Sequence, residues 1–507
     1  MDMKRPLWRI LLCLMLLTAL ATATPLSASA AFQDVPAGHW AEASIRRCAE
    51  LGFLSGQSPT RFGLGGEMSR GTFAQVLCRF YGWETSRPEE SSFADVAADS
   101  AAAGAVEALL SHGVVTTQRP DFRPGEALTR EDLAVMLVRS LGYGSLAGMA
   151  QELESHFQDL HTNTGYINMA YNLGLTNGTS ATTFSPERAV TREEVAVTLI
   201  RLYDKLHASA PEVTAVLTDP AGGTVPDMTG LDVAAVPAGR LMGLGNTPSI
   251  SPLLSADTAS SLRDAARAAG ATVLLHITGG PSALDAPLDA AVSLLADTME
   301  EGGYDGLMLD MPELKRDRQM SLTALMTRLR SALGEETPLY LVVEAPTWNG
   351  REYGGYDYFA LSAAVDKLIL RPASYAVTQA GAFPVAPVDP LDEVYYALVS
   401  MKGHVELSRL SLMVDTAPSV WSYAARPLTL SEDALEQVLA NAGEPQYSQR
   451  YGCAYMESMN GNDPVGVWYL NREAILTRRQ MAQAFGINAL CLSGWQDAPV
   501  GLLADRQ

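Results

Sequence analysis

Cysteine is scarce. The chain has five in 507 residues, and one, Cys13, lies in an apolar run at the N-terminus. The other four, Cys48, Cys78, Cys453 and Cys491, are too few for a disulfide-stapled scaffold, and none has the spacing of a metal site, so no metal is expected. Basic residues are also in deficit: 36 Lys and Arg face 57 Asp and Glu, a formal net charge of −21 with no long basic run to offset it. Such a chain repels phosphate-rich partners, which excludes nucleic acid. Beyond the N-terminus no apolar run is long enough to span a bilayer, and no motif calls for a cofactor. What is present, 47% hydrophobic and 18% charged residues with 42 Gly and 28 Pro, is an ordinary globular composition. At roughly 100–200 residues per domain the length allows three or four compact units.

Lys4, Arg5 and Arg9 precede an apolar run over 10–21, and Ala28-Ser29-Ala30 offers a small-residue cleavage site. This three-part pattern predicts a secretory signal peptide over 1–30, with mature protein starting near Ala31. The run is too short for a membrane anchor, and Cys13 has no lipobox around it.

A threefold repeat follows. Phe32-Gln33-Asp34-Val35, Phe93-Ala94-Asp95-Val96 and Phe157-Gln158-Asp159-Leu160 begin 61 and 64 residues apart, placing repeats at 31–85, 92–145 and 156–205. Each has an amphipathic helix ending at Gly52, Gly113 or Gly174, a loop with Phe62, Phe122 or Phe184, and a second helix opening at Ser69-Arg70, Thr129-Arg130 or Thr191-Arg192. A helix pair buries too little apolar surface alone, so the three should pack as one all-α bundle. Cys48 and Cys78 fall on apolar faces of the first repeat, as buried thiols or as a disulfide.

Thr129-x-x-Asp132 and Thr191-x-x-Glu194 have the form of capping boxes. The arginines need another explanation, because a cation in the first turn opposes the helix dipole at a cost of a few tenths to ~1 kcal/mol. Either an intramolecular carboxylate compensates Arg70, Arg130 and Arg192, or an anionic ligand does.

These repeats resemble the S-layer homology (SLH) domain, with its F-x-D-V start and T-R-x-E helix entry. The resemblance implies a secreted protein of the cell wall or S-layer that binds acidic, pyruvylated secondary wall polysaccharide through Arg70, Arg130 and Arg192, with Trp40 beside them. Replacing the three arginines by Ala should then weaken attachment and leave the fold intact. The repeats are not equivalent: His39-Trp40 has no counterpart in the second, Thr117 stands there where the others have Gly56 and Gly178, and Ser69-Arg70-Gly71-Thr72 lacks the acid.

After a connector at 206–212 the pattern becomes apolar strands alternating with helices. Strands are predicted at 213–218, 232–236, 272–277, 306–310, 339–343, 367–370, 410–414 and 489–492, which suits a (β/α)8 TIM-type barrel over 213–507 with chemistry at the C-terminal strand ends. Between the last two, 453–458 and 465–469 read as an inserted strand pair.

Tyr304-Asp305-Gly306-Leu307-Met308-Leu309-Asp310-Met311-Pro312-Glu313 resembles the strand-four signature D-G-x-D-x-D-x-E of glycoside hydrolase family 18. Gly355-Tyr356-Asp357-Tyr358, Val365–Leu370, Val467-Trp468-Tyr469 and Leu492-Ser493-Gly494-Trp495 extend the likeness. In that family the last acid protonates the glycosidic oxygen while the preceding Asp orients the substrate's acetamido group. Acids two apart share a strand face. Here those positions are Met308, Asp310 and Pro312, so the motif is broken and Glu313 comes one residue late, unless Pro312 turns the chain enough to re-aim it. The family's Met-x-Tyr-Asp after strand six is replaced by Arg371-Pro372-Ala373-Ser374. Asp310 and Glu313 are the candidate catalytic pair, and Glu344 and Asp415 a possible other acid pair. Trp495 and Trp348, with Tyr353, Tyr356 and Tyr358, are candidates to stack on a glycan. The expected protein is wall-anchored with a catalytically degenerate, glycan-binding barrel; the alternative is an active hydrolase of N-acetylglucosamine-containing glycan.

Overall fold

The computed structural model describes residues 32–220, 224–244, 247–348, 354–499 and 502–503. The expected signal peptide and Tyr353 lie outside the described residues. The chain divides into two units. One holds the described residues up to Gly142, with Ser155–Ile167 and Leu175–Tyr203; the other holds Tyr143–Glu154, Asn168–Gly174 and the described residues from Asp204 onward.

The repeats supply helices Glu42–Glu50 and Arg70–Tyr81, Ala103–Ser111 and Arg130–Ser140, Thr164–Asn172 and Arg192–Leu206. Ser69 Oγ accepts from Thr72 N, and Thr129 with Asp132 forms a reciprocal capping box. The first helix of each pair stops at Gly52, Gly113 or Gly174, all at positive φ (74°, 70° and 68°), the left-handed cap that glycine takes without strain. The Asp of each F-x-D start secures the loop that follows. Asp34 accepts from Phe62, Gly63 and Leu64 N, Asp95 from Phe122 and Arg123 N, and Asp159 from Phe184 and Ser185 N.

One backbone ring joins the three repeats. Met68 N donates to Val190 O at 2.9 Å, Val190 N to Leu128 O at 2.8 Å and Leu128 N to Met68 O at 2.7 Å. All three side chains are buried. Cys48 and Cys78 are free buried thiols, not a disulfide.

In the second unit, strands β1 (Glu212–Val216), β2 (Val233–Leu244), β4 (Thr272–Gly279), β5 (Gly306–Asp310), β6 (Leu339–Glu344), β7 (Lys367–Arg371), β8 (Leu410–Asp415) and β14 (Ala489–Ser493) close a parallel barrel in the order β1-β14-β8-β7-β6-β5-β4-β2, with β2 pairing back to β1. All eight lie where the apolar runs predict them. β2 runs longer than expected, past an irregularity between Pro237 and Gly239, and hairpins onto β3 (Thr247–Pro252). Among the described residues no helix separates β1 from β2.

Leu274, Met308, Val342, Ile369, Met413 and Cys491 form the barrel's interior cluster. Side chains two apart on a strand share a face, so His276, Asp310, Glu344, Arg371, Asp415 and Ser493 point inward as well, toward the C-terminal mouth. The expected inserted pair is present as β12 (Cys453–Asn460) and β13 (Asp463–Tyr469). It is the middle of a five-stranded antiparallel sheet that also takes in β9 (Ser419–Ser422), β10 (Arg426–Pro427) and β11 (Gln446–Ser448). These outer strands of two to four residues are too short to show a period. Val420, Val438, Met456, Val465 and Val467 give this sheet a core of its own.

Candidate functional site

The barrel mouth holds a pocket of about 200 Å³ whose polar lining is Glu344, Arg371, Ser374, Asp389, Asp415 and Ser493. Arg371 grips Asp310 with both Nη atoms: Nη1 donates to Oδ1 at 3.1 Å and Nη2 to Oδ2. Asp310 is buried behind that guanidinium and does not line the pocket.

Pro312 does turn the chain. Glu313 takes φ +58°, its N–H donates to Glu344 Oε2 at 2.8 Å, and its side chain is exposed and outside the pocket lining. Neither Asp310 nor Glu313, the pair singled out from the motif, lines this pocket. Arg371, which the sequence shows only as a departure from the family pattern, is the residue that organises the mouth.

Burial raises the Glu344 carboxyl above the ordinary carboxylate range. Burial, and then the facing Asp415, push the Asp389 carboxyl up to about 7. Asp415 is raised as well, again mainly by burial. Asp389 Oδ2 accepts the N–H of Asp415 at 2.5 Å. Sequence reasoning missed Asp389, because it sits in the irregular Val388-Asp389-Pro390 stretch before helix Leu391–Met401, where no periodicity marks it.

The aromatic candidates lie elsewhere. Trp348 donates its backbone N–H to Glu393 Oε2 at 2.8 Å and packs edge-on to Tyr396 at 5.8 Å. Trp495 follows β14 as expected and donates Nε1–H to Asp227 O at 2.8 Å. Both are half-buried, and neither lines the 200 Å³ pocket. Tyr356 is buried, its hydroxyl donating to Met311 O, and the Tyr358 hydroxyl donates to Glu344 O. These two fix the backbone beside the mouth, and with the exposed Phe359 they border a separate hollow of about 430 Å³.

In the repeat unit the arginines answer the helix-dipole problem intramolecularly. Arg70 Nε donates to Phe122 O at 2.9 Å, Arg130 Nε to Phe184 O at 2.8 Å and Arg192 Nε to Phe62 O at 2.9 Å. Each guanidinium also lies over the same phenylalanine's ring, at 5.1, 4.4 and 5.0 Å. Arg70 adds an ion pair with Asp132 at 2.5 Å. Each arginine thus clasps the next repeat, with the third clasping the first. These contacts give each arginine a packing role beside the wall-polymer role that the resemblance implies.

Trp40 is 62% exposed, with His39 at 5.5 Å. A groove of about 630 Å³ between helices Arg70–Tyr81 and Ala103–Ser111 is lined by Gln75, Arg79, Trp83 and Arg87 among others. There the Trp83 ring is stacked between Tyr81 (4.6 Å) and His112 (4.1 Å). Sequence reasoning passed over Trp83, which lies just beyond the helix and outside the repeat's motif.

Residues 92–134 and 158–196 match the family model for the S-layer homology domain. The chain carries S-layer homology domains. Over 196 residues it is 30% identical to the S-layer protein EA1 of Bacillus anthracis, and over 198 residues 30% identical to an S-layer protein of Bacillus licheniformis. Each match covers 38% of this chain and 22% of the relative, so the chain spans about a fifth of the length of these relatives. The SLH domains and S-layer relatives mark a secreted, cell-surface protein, and among the described residues no helix is long and apolar enough to cross a membrane. The barrel is similar in fold to a chitinase of Chromobacterium violaceum, with TM-score 0.50 and 15% identity over 59% of this chain and 98% of that one. At that identity the likeness establishes the fold.

Proposed function

We propose that this is a wall-anchored glycan-binding protein: the three repeats hold acidic, pyruvylated secondary wall polysaccharide, and the barrel binds glycan without family 18 turnover. The observation that carries the barrel half is the Arg371–Asp310 clasp. A carboxylate gripped at both oxygens behind a guanidinium is withdrawn from the pocket, and Glu313 leaves the strand on a left-handed turn. On this reading the acid and the acetamido-orienting Asp of family 18 chemistry do not work as a pair. The anchoring half is supported by the exposed Trp40, by the Trp83 groove with Arg79 and Arg87, and by the SLH match. On this reading Arg70, Arg130 and Arg192 serve the polymer by holding the repeats, and hence the grooves, in register.

The hydrolase alternative has one observation in its favour. Glu344, raised by burial and held beside Glu313, has the character of a proton donor at the mouth. One experiment separates the readings. The full chain is bound to purified walls before and after extraction of acidic polysaccharide, and assayed for turnover of chitooligosaccharide and peptidoglycan fragments. Binding lost on extraction with no turnover is expected. Turnover that collapses in Asp310→Asn and Glu313→Gln, or in Glu344→Gln, makes the barrel a hydrolase.

A further inference from the structure

Asp389 has φ +39°, in the left-handed region, which is uncommon for a residue with a Cβ but more open to Asp than to most. Arg478, with no exposed surface, holds the Asp389 backbone there. Its Nε and Nη2 donate to Asp389 O at 3.0 and 2.5 Å, and its Nη1 to Gly452 O and Ala474 O at 2.7 and 2.9 Å. A guanidinium spent on main-chain carbonyls fixes the path of a loop. What this loop presents is the Asp389 carboxyl, in the mouth pocket and against Asp415.

The mouth is more than a group of acids. It is a pocket with Arg371, Ser374 and Ser493 in its walls. The inward-facing His276, 5% exposed, feels both Asp310 and Arg371, and among the described residues neither of its ring nitrogens has a hydrogen-bond partner.

Two carboxyls in one buried mouth cannot both be charged cheaply. The groups bearing on the pair are Arg371, already gripping Asp310, Arg478 behind the loop, Cys453, and the acids Glu344 and Asp497. Acids outnumber cations, and a retained proton relieves the imbalance. Asp389 Oδ2 is taken by the Asp415 N–H, which leaves Oδ1 to carry that proton.

We propose that Asp389 and Asp415 hold one proton between them and that the neutral Asp389 carboxyl donates it to a sugar hydroxyl, making Asp389 a specificity-determining residue of the barrel mouth. This rests on the glycan-binding reading. A neutral carboxyl both donates and accepts, matching a hydroxyl, whereas a carboxylate only accepts. The raised carboxyl of Asp389 places the change near neutral pH. Arg478 is the positioning residue.

The test has two arms on the full chain. Infrared difference spectra between wild type and Asp389→Asn read the protonated carboxyl directly, without ligand. Calorimetric titration with chitotetraose reads affinity from about pH 5.5 to 8.5 in wild type, Asp389→Asn and Asp415→Asn. A protonated-carboxyl band near pH 6 that vanishes by about pH 8.5 is expected, with wild-type affinity falling about tenfold between about pH 6 and 8. Asp389→Asn, whose amide still donates, should keep the acid-limit affinity and lose the pH trend; Asp415→Asn should move the fall to lower pH. No band near pH 6, a flat wild-type affinity, or loss of binding in a folded Asp389→Asn chain overturns the donor role. A wild-type chain that binds no glycan at any pH overturns the glycan-binding reading and the donor role with it, and the infrared arm then still reports on the shared proton.

Discussion

Arg192 closes the repeats on themselves: its Nε donates to the carbonyl of Phe62, 130 residues earlier in the chain, and its guanidinium lies over that residue's ring. An arginine that reads as a ligand hook in the sequence is a clasp in the structure. Its replacement by Ala removes a charge-assisted hydrogen bond and a cation–π contact and leaves the Phe62 carbonyl without that donor. A loss of about 2–3 kcal/mol is expected, measured as earlier thermal unfolding of the full chain. Arg192→Lys should restore little, since an ammonium cannot both lie flat on the ring and keep the Nε bond. Unchanged unfolding in Arg192→Ala would return the residue to a purely ligand-facing role.

Trp40 offers the complementary variant. With 62% of its surface exposed it contributes little to packing, so Trp40→Ala should leave the melting temperature within about a degree and weaken binding to purified walls severalfold. Equal wall binding by both chains would remove Trp40 from the anchoring surface.

In the barrel, Arg371→Met leaves the Asp310 carboxylate buried and unpaired, at a cost of about 3 kcal/mol. The double variant with Asp310→Asn should recover most of that loss. Chemical denaturation of the four chains gives the coupling energy, and simple additivity would count against a working pair.

Stability should also depend on pH through Asp389. Its folded-state carboxyl is raised to about 7 from an ordinary value of 3.8. Below the ordinary value both states are protonated and nothing is lost. As pH rises toward 7 the unfolded chain releases its proton first, so stability falls, and above 7 the whole cost, on the order of 4 kcal/mol, is present. Wild type should therefore melt lower at about pH 8 than at about pH 5.5, and Asp389→Asn should flatten that slope. Parallel profiles for the two chains would place the raised group elsewhere.

The barrel was legible because parallel strands buried on both faces read as apolar runs. The five residues of β5 are buried throughout, and their bounds follow from the sequence directly. Thr129 and Asp132 were legible as a capping box because both partners lie within one helical turn. The role of the arginines was not. Local sequence shows the cost of a cation against the helix dipole, whereas the carbonyls that repay it lie 52, 54 and 130 residues away. Glu313 could be placed one residue late, yet the left-handed turn that carries it to the Glu344 carboxylate has no marker beyond Pro312. Asp389 and Arg478 were invisible for the same reason, since a buried arginine serving distant carbonyls has no pattern in the chain.

The backbone ring through Met68, Leu128 and Val190 has no first and no last member. In an open stack of repeats a terminal unit can be deleted at the loss of one interface. In a ring of three, deleting any unit breaks two of the three junctions and strands a pair that cannot close. The number of repeats is therefore set by topology rather than by dose: anchoring by this unit should be gained or lost in whole triplets, and duplication or loss of a single repeat should not yield a graded anchor.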